Sequence, residues 1–213
     1  MIGKDFTLAA TLCVILLVFG SCSRNKKTTQ TPSPINPMVE KLDETPDSAL
    51  LVVLDDVVSN TMNVTTVKEK QQLSFNLSDA YQEKNIKGSL NPGDTLSIFP
   101  DNKTKSIKMS INVSELSGRW FYDMQQHRGL VFESHGAMSS INALTISYRQ
   151  WKLLNGKLYI YYVDMQQVAN ERHQYLVDEA QITSLSKDHL EFVFRGNKIR
   201  CQRVNQVIKF SRK

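Results

Sequence analysis

The chain has 213 residues, which is enough for one sizeable domain or for one domain and a smaller module. Hydrophobic residues make up 41% and charged residues 22% of it, an ordinary globular composition that excludes disorder throughout the chain. The formal net charge of +5 is modest and spread along the chain. It predicts mild attraction to anionic lipid or polysaccharide and no nucleic-acid partner.

The first 21 residues have the organisation of an export signal. Lys4 precedes an apolar core of about 14 residues, from Phe6 to Phe19, which fits a secretory signal and is short for a bilayer span of about 20 residues. Gly20-Ser21-Cys22 follows and resembles the bacterial lipobox, in which the cysteine is acylated and becomes the mature N-terminus. An ordinary signal peptide or a short anchor is the alternative. We expect a signal peptide at 1–21 and a lipidated, palmitate-bearing Cys22.

This N-terminus predicts where the protein resides. Acylation at Cys22 implies an exported protein of the cell envelope, attached to the outer membrane, with the periplasmic face and the cell surface both open as its location. Cysteine usage agrees, because Cys13 lies in the signal peptide and only Cys201 remains in the folded part. We therefore expect no intramolecular disulfide, and Cys201 is interpreted as a small core residue rather than a nucleophile.

Two segments separate Cys22 from the main domain. Residues 22–37 are rich in Ser, Thr, Asn, Lys and Pro and are expected to form a linker that lifts the domain off the membrane. Residues 38–113 are predicted to form a small N-terminal module with a helix and a hairpin. The apolar run 49–58, after a helix-start signal at Pro46, favours a short helix, with a strand as the alternative because of its β-branched residues. "TLSIF" and "SIKMSINV" around "PDNKT" predict the hairpin.

Residues 114–210 have the pattern of an all-β domain. Short alternating segments recur at steady spacing, and Asn155-Gly156, between "QWKLL" and "KLYIYYV", is the strongest short hairpin signal in the chain. Another turn is predicted at Gly196-Asn197. Such a series of strands favours a closed antiparallel barrel or a sandwich, and closure removes the sheet edges that would template aggregation.

The opening of this domain supports a more specific interpretation. Gly118-x-Trp120 on the first strand, "GAMSSIN" and "YRQWKLLNGKLYIYYVD" resemble the lipocalin-like domain of Bacteroidetes lipoproteins over about residues 114–207. The resemblance implies a small lipocalin-like β-barrel. In such a barrel Trp120 is expected to plug the closed end, next to a permissive backbone at Gly118, with Arg203 or Arg200 from the last strand stacked on its ring.

A cluster of aromatic residues is the candidate ligand site. Tyr159 and Tyr161 share one face of a predicted strand, Trp151 lies across the Asn-Gly hairpin, and Tyr148 is nearby. Such side chains can line an apolar pocket with polar tips, although ordinary cross-strand packing is the alternative for each of them.

Metal and catalytic sites are not expected. Met124, His127, His135 and Met138 offer soft and imidazole donors, but no metal-binding spacing such as CxxC or HxxxH accompanies them. Ser139-Ser140 lacks the GxSxG frame of a nucleophile, and the four histidines have no evident Ser or Cys partner. No cofactor motif is present in the sequence, so we expect a protein that is not an enzyme.

Two functions remain. The first is a membrane-anchored lipoprotein whose barrel binds a small apolar or amphipathic ligand without catalysis. The second is a structural or regulatory envelope lipoprotein that binds a protein partner and whose barrel is filled by side chains. A barrel of about eight strands can be solid or just hollow enough for one small ligand, so a cavity distinguishes the two.

Overall fold

Antiparallel strands make up most of the computed structural model, which describes Leu42 and residues 47–101, 103–142, 145–165 and 175–203. The predicted signal peptide, Cys22 and the linker lie outside these residues. The strands are β1 (Leu50–Val58), β2 (Thr61–Thr66), β3 (Gln72–Asn76), β4 (Ile86–Lys87), β5 (Thr95–Asp101), β6 (Ser106–Asn112), β7 (Gly118–Asp123), β8 (Arg128–Phe132), β9 (Met138–Ile141), β10 (Ile146–Leu154), β11 (Lys157–Asp164), β12 (Leu176–Leu185), β13 (His189–Phe194) and β14 (Asn197–Gln202). The helices α1 (Ser78–Gln82) and α2 (Val113–Leu116) are each shorter than two turns. Within the described ranges, no helix has the length and apolarity that a membrane span requires.

The first sheet is a small barrel built from β1 to β6. Its strand order is β3-β2-β1-β5-β6-β4, and β3 also pairs with β6 in parallel through Asn76 and Ser106. Five strands therefore close on themselves, with α1 following β3. This is a five-stranded Greek-key barrel of the OB-fold kind. Its core consists of inward-facing apolar side chains, among them Val52, Leu54 and Met62.

The predicted helix at 49–58 is wrong, because this segment forms β1. Val52 and Leu54 are buried while Leu51 and Asp55 are exposed, which is the alternation of a strand. The strand pairs with both β2 and β5, and a bulge between Leu54 and Asp56 lets it bend from one partner to the other. The β-branched valines favour this conformation, and the barrel supplies the hydrogen-bond partners on both sides. The predicted hairpin is confirmed as β5 and β6.

The second sheet contains eight antiparallel strands in the order β10-β11-β12-β13-β14-β7-β8-β9. Its two edge strands meet at an antiparallel bridge between Ala137 and Gln150, where the Trp151 amide donates to the Gly136 carbonyl at 2.8 Å. The sheet therefore closes into a barrel. The pairing of β14 with β7 is short, since Gln202 opposite Phe121 is its only register pair among the described residues. The predicted mainly β, lipocalin-like architecture is confirmed.

The first module closes one end of this barrel, which we call the floor. Ile111, Val113 and Leu116, at the end of β6 and in α2, belong to the same buried cluster as the barrel interior. The β10–β11 turn lies against the first module as well, because the Asn155 amide donates to the Asp47 carboxylate at 3.0 Å. At the opposite end, which we call the rim, strands β7, β9, β11 and β13 end and strands β8, β10, β12 and β14 begin.

Side chains fill the described interior of the barrel above the floor. The fully buried residues include Trp120, Leu130, Phe132 and Phe192, and the cluster continues toward the rim. Cys201 is 2% exposed in this cluster, and burial raises the pKa of its thiol to about 12. A thiol held protonated in an apolar core has the surroundings of an inert cysteine, as the sequence indicated.

Candidate functional site

The floor is organised around Trp120. This side chain is 0% exposed, and its indole Nε1 donates to the Leu116 carbonyl at 2.8 Å. The guanidinium carbon of Arg203 lies 4.4 Å from the centroid of its ring. A tryptophan held by one hydrogen bond and covered by a cation fits a structural role at a closed barrel end.

Arg203 rather than Arg200 stacks on Trp120. Its Nη2 donates to the Ser117 carbonyl at 2.9 Å and to the Glu115 carbonyl, and its burial lowers the pKa of the guanidinium. Gly118 has a φ of +128°, and a Cβ there would lie 3.4 Å from the Arg203 Cζ, so a side chain would crowd the guanidinium. Arg200 instead contacts the Glu191 carboxylate at 2.9 Å on the outer surface.

The four aromatic residues predicted to form one wall lie on two faces of the sheet. Trp151 is paired with Ile160 and belongs, with the half-buried Tyr148, to the interior cluster. Tyr161 is 7% exposed in a separate cluster with Leu42, Leu154 and Val177, against which Tyr159 also packs. The structure therefore brings Tyr148 and Trp151 together on the inside and places the other two outside the barrel.

A second aromatic group completes the inner face near the rim. The Tyr148 ring lies 6.2 Å from the Phe194 ring and 6.5 Å from the Tyr162 ring, and the Tyr162 and Phe194 centroids are 5.7 Å apart. We call these three residues the mouth cluster. Burial raises the pKa of Tyr148 to about 12, so its phenol remains a neutral hydrogen-bonding group at physiological pH.

Fixed polar groups adjoin the mouth cluster. The Tyr162 hydroxyl donates to the Asp178 carboxylate at 2.5 Å, and Arg195 Nε lies 3.5 Å from the same carboxylate. The Arg195 guanidinium also stands 5.6 Å from the centroid of the Tyr162 ring. Sequence reasoning did not select Tyr162, Phe194, Asp178 or Arg195. Strand alternation places Tyr162 on the same face as Ile160. The sequence does not show that this face is turned to the barrel interior, and Tyr162 was therefore not selected.

One cleft opens beside the mouth cluster. It has a volume of about 520 Å³, lies between β9 and β10 and is bounded by Met138, Ile146, Tyr148, Met165 and Arg149, with the hydroxyls of Ser139, Ser140, Thr145 and Ser147. Tyr148 is the member of the mouth cluster that lines it. A second cleft, of about 450 Å³, lies at the short β7–β14 seam, and its lining combines Tyr122 and Met124 with Glu191 and Arg200 of the outer surface.

The donors considered from the sequence do not form a metal site in the described ranges. No three His, Cys, Asp or Glu side chains there converge as metal ligands would. His127 precedes β8 and His135 follows it, so these two histidines lie at opposite ends of that strand. The Ser140 hydroxyl donates to the Ile146 carbonyl at 3.2 Å, which is a structural role.

The outer face of β1–β3 is acidic and internally hydrogen-bonded. Asn63 donates to Asp56 at 2.6 Å, and Thr65 donates to Asp55 at 2.9 Å. The OB-fold topology describes the fold of this module only, because a fold does not by itself specify a function.

Comparisons with known proteins find similarity for the part of the chain that contains the second sheet. Residues 112–206 match the model of a family described as lipocalin-like. A crystal structure of a lipocalin-like protein from Bacteroides thetaiotaomicron is 27% identical over a match that covers 42% of this chain and 96% of that protein, with a TM-score of 0.36. Curated proteins gave no match. The family match and the closed eight-stranded sheet together show that this part of the chain is similar to a lipocalin-like domain.

Proposed function

We propose that this protein binds a small amphipathic ligand, without catalysis, at the rim end of its lipocalin-like barrel. The observation that carries the proposal is the cleft of about 520 Å³ between β9 and β10, which Tyr148 lines. This volume falls in the range of small-molecule sites, which combine apolar walls with a few placed polar groups. The rings of Tyr162 and Phe194 pack against the Tyr148 ring, and Asp178 accepts a hydrogen bond from the Tyr162 hydroxyl.

The lining indicates the chemistry of the ligand. Met138, Ile146 and Met165 offer flexible apolar surface for a hydrocarbon or ring portion. Hydroxyl groups and Arg149 border the same cleft, and they suit a polar or anionic head group. The barrel below is filled by side chains, so the ligand binds in the mouth rather than deep in a calyx.

The filled interior also supports the second candidate function. An envelope lipoprotein whose barrel serves as a solid scaffold for a protein partner has no need of an internal cavity. The two candidates differ at Tyr148, because a ligand in the cleft between β9 and β10 contacts this side chain directly.

Replacement of Tyr148 by alanine is expected to weaken the binding of an amphipathic probe, 11-(dansylamino)undecanoic acid, by about tenfold or more, because it removes the aromatic ring that lines the cleft between β9 and β10. Fluorescence titration of the full chain measures this. Tyr159→Ala is the matched control, since Tyr159 packs on the outer face, and it should bind the probe as the wild type does. Equal affinities of the wild type and the Tyr148 variant would contradict the proposed site.

The proposal includes export and lipid anchoring. The apolar core, Gly20-Ser21-Cys22 and the polar segment 22–37 support an envelope protein attached to the outer membrane by acyl chains. Each buried methylene of such chains contributes about 0.8 kcal/mol, and several chains together hold a protein stably.

Cys22→Ser is expected to release the protein from the membrane fraction, since it removes the acylated side chain. Fractionation of expressing cells, followed by immunoblotting, measures the distribution. Cys201→Ser serves as the control, because Cys201 lies in the barrel core and should not change the fractionation. An unchanged membrane fraction for Cys22→Ser would refute the anchor.

A further inference from the structure

Exposed apolar side chains concentrate at the rim of the lipocalin-like barrel. Seven large hydrophobic side chains are exposed in the described part of the chain. Four of them are at the rim: Tyr122 at 41%, Met124 at 43%, Met165 at 51% and Tyr175 at 51% exposed. The others, Leu51, Val58 and Tyr81, belong to the first module.

The strand order brings these four residues to one end of the barrel. Tyr122 and Met124 lie at the end of β7, Met165 directly follows β11, and Tyr175 directly precedes β12. Because neighbouring strands are antiparallel, all of these positions fall at the rim. Two of the side chains lie at the end of β7, and the other two lie where β11 ends and β12 begins, so the rim exposes apolar side chains at two places.

The charges of the described rim residues nearly balance. Arg128 begins β8 and Arg149 borders the larger cleft, while Asp123 and Asp164 end β7 and β11. Arg195 is paired with Asp178. A group of tyrosine and methionine side chains without a net field has the composition of a surface that enters a lipid headgroup region by apolar contact.

We propose that the rim docks on the surface of a phospholipid bilayer, with Tyr122, Met124, Met165 and Tyr175 inserted among the head groups. This inference rests on the proposed function for its choice of a lipid over a protein. The 19 residues from 23 to 41, which precede the packed Leu42, can span at most about 65 Å, so an acylated Cys22 permits the rim to face the membrane that holds the anchor. In this orientation the mouth faces the bilayer, which is the source of an amphipathic ligand.

Hydroxyl-radical footprinting of the full chain on zwitterionic phosphatidylcholine vesicles tests the docking. Tyr81 is the internal reference, because its exposure of 48% is close to the exposures of Tyr122 and Tyr175. We expect Tyr122 and Tyr175 to be oxidised about threefold more slowly than Tyr81, and this protection should persist in about 0.5 M NaCl since apolar burial drives it. Rim tyrosines that react as fast as Tyr81 would overturn the proposal.

A pair of variants separates docking from anchoring. Met124→Gln with Met165→Gln should abolish the protection of Tyr122 and Tyr175, whereas Leu51→Gln with Val58→Gln, on exposed positions of the first module, should leave it intact. Protection that appears without vesicles and grows with protein concentration would show that a second copy covers the rim, and would overturn the proposal. If the Tyr148 variant binds the probe normally while rim protection is present, the ligand site fails and the docking surface stands.

Discussion

Trp120→Ala is expected to lower the free energy of unfolding by about 3–5 kcal/mol, the range for removal of a large buried aromatic side chain. Trp120 has no exposed surface and lies within the buried cluster of the barrel interior. The substitution also removes the hydrogen bond to the Leu116 carbonyl. It uncovers the Arg203 guanidinium, whose stacking contributes about 0.5–2 kcal/mol.

Urea unfolding followed by circular dichroism measures the effect of Trp120→Ala. Tyr175→Ala is a suitable control because it removes an aromatic ring that is 51% exposed, and its stability should stay within about 0.5 kcal/mol of the wild type. A Trp120 variant with wild-type stability and altered probe binding would show that Trp120 contacts a ligand instead of holding the floor.

Gly129→Ala is the second substitution with a large expected effect. It should lower the free energy of unfolding by about 3 kcal/mol, because the added methyl group overpacks its surroundings. Gly129 is paired with Phe121, and a Cβ at this position would lie 2.2 Å from the Trp120 carbonyl oxygen. That oxygen belongs to the backbone of β7, so no change of rotamer relieves the clash. The strands β7 and β8 must separate, which disturbs the position of Trp120 as well.

Thermal unfolding compares this variant with Gly93→Ala. Gly93 has a φ of +89°, and a Cβ added there would have no atom within 4 Å, so alanine costs only backbone strain of about 1–2 kcal/mol. The Gly129 variant should therefore unfold at a lower temperature than the Gly93 variant. The reverse order would mean that β7 and β8 are not packed as closely as the structure indicates.

The barrel strands were predictable because their signals are local. Asn155-Gly156 forms the β10–β11 turn with φ values of 51° and 79°, the conformation that Asn-Gly favours in hairpins. The turn predicted at Gly196-Asn197 is one residue earlier, because Arg195 and Gly196 hold the positive φ values and Asn197 already begins β14. Arginine is not a residue typical of that position, so no local signal marked it.

The first module was harder to predict because its strands depend on distant partners. β2 and β3 carry Thr, Asn, Gln and Ser on their outer faces, and their buried apolar side chains are Met62, Val64 and Phe75. Their apolar alternation, Met62 with Val64 and Leu73 with Phe75, is too short to give a strong strand signal in the sequence. β1 forms a strand because β2 and β5 pair with it on its two sides. Since β5 is about 40 residues away in the sequence, a local sequence pattern cannot reveal this pairing.

The ligand site could also be predicted only in part, because it too depends on residues that are distant in the sequence. Alternation along β11 correctly separated Tyr159 and Tyr161 from Tyr162, but it does not tell which face is internal. A bulge between Tyr148 and Gln150 shifts the register of β10, so that Tyr148 and Trp151 both reach the interior cluster although three positions separate them. Leu42, which covers Tyr161, is also remote in sequence. The cross-strand register and the packing of the distant Leu42 therefore determine which aromatic residues face the interior, and neither can be read from a local sequence pattern.

Native mass spectrometry of the purified full chain tests the central claim most directly. We expect the wild-type protein to carry a small amphipathic molecule in part of its population, and Tyr148→Ala to lose it while Tyr159→Ala retains it. Addition of 11-(dansylamino)undecanoic acid should give a one-to-one complex with the wild type. A wild-type protein that carries no small molecule and forms no complex with this probe would contradict ligand binding at the mouth.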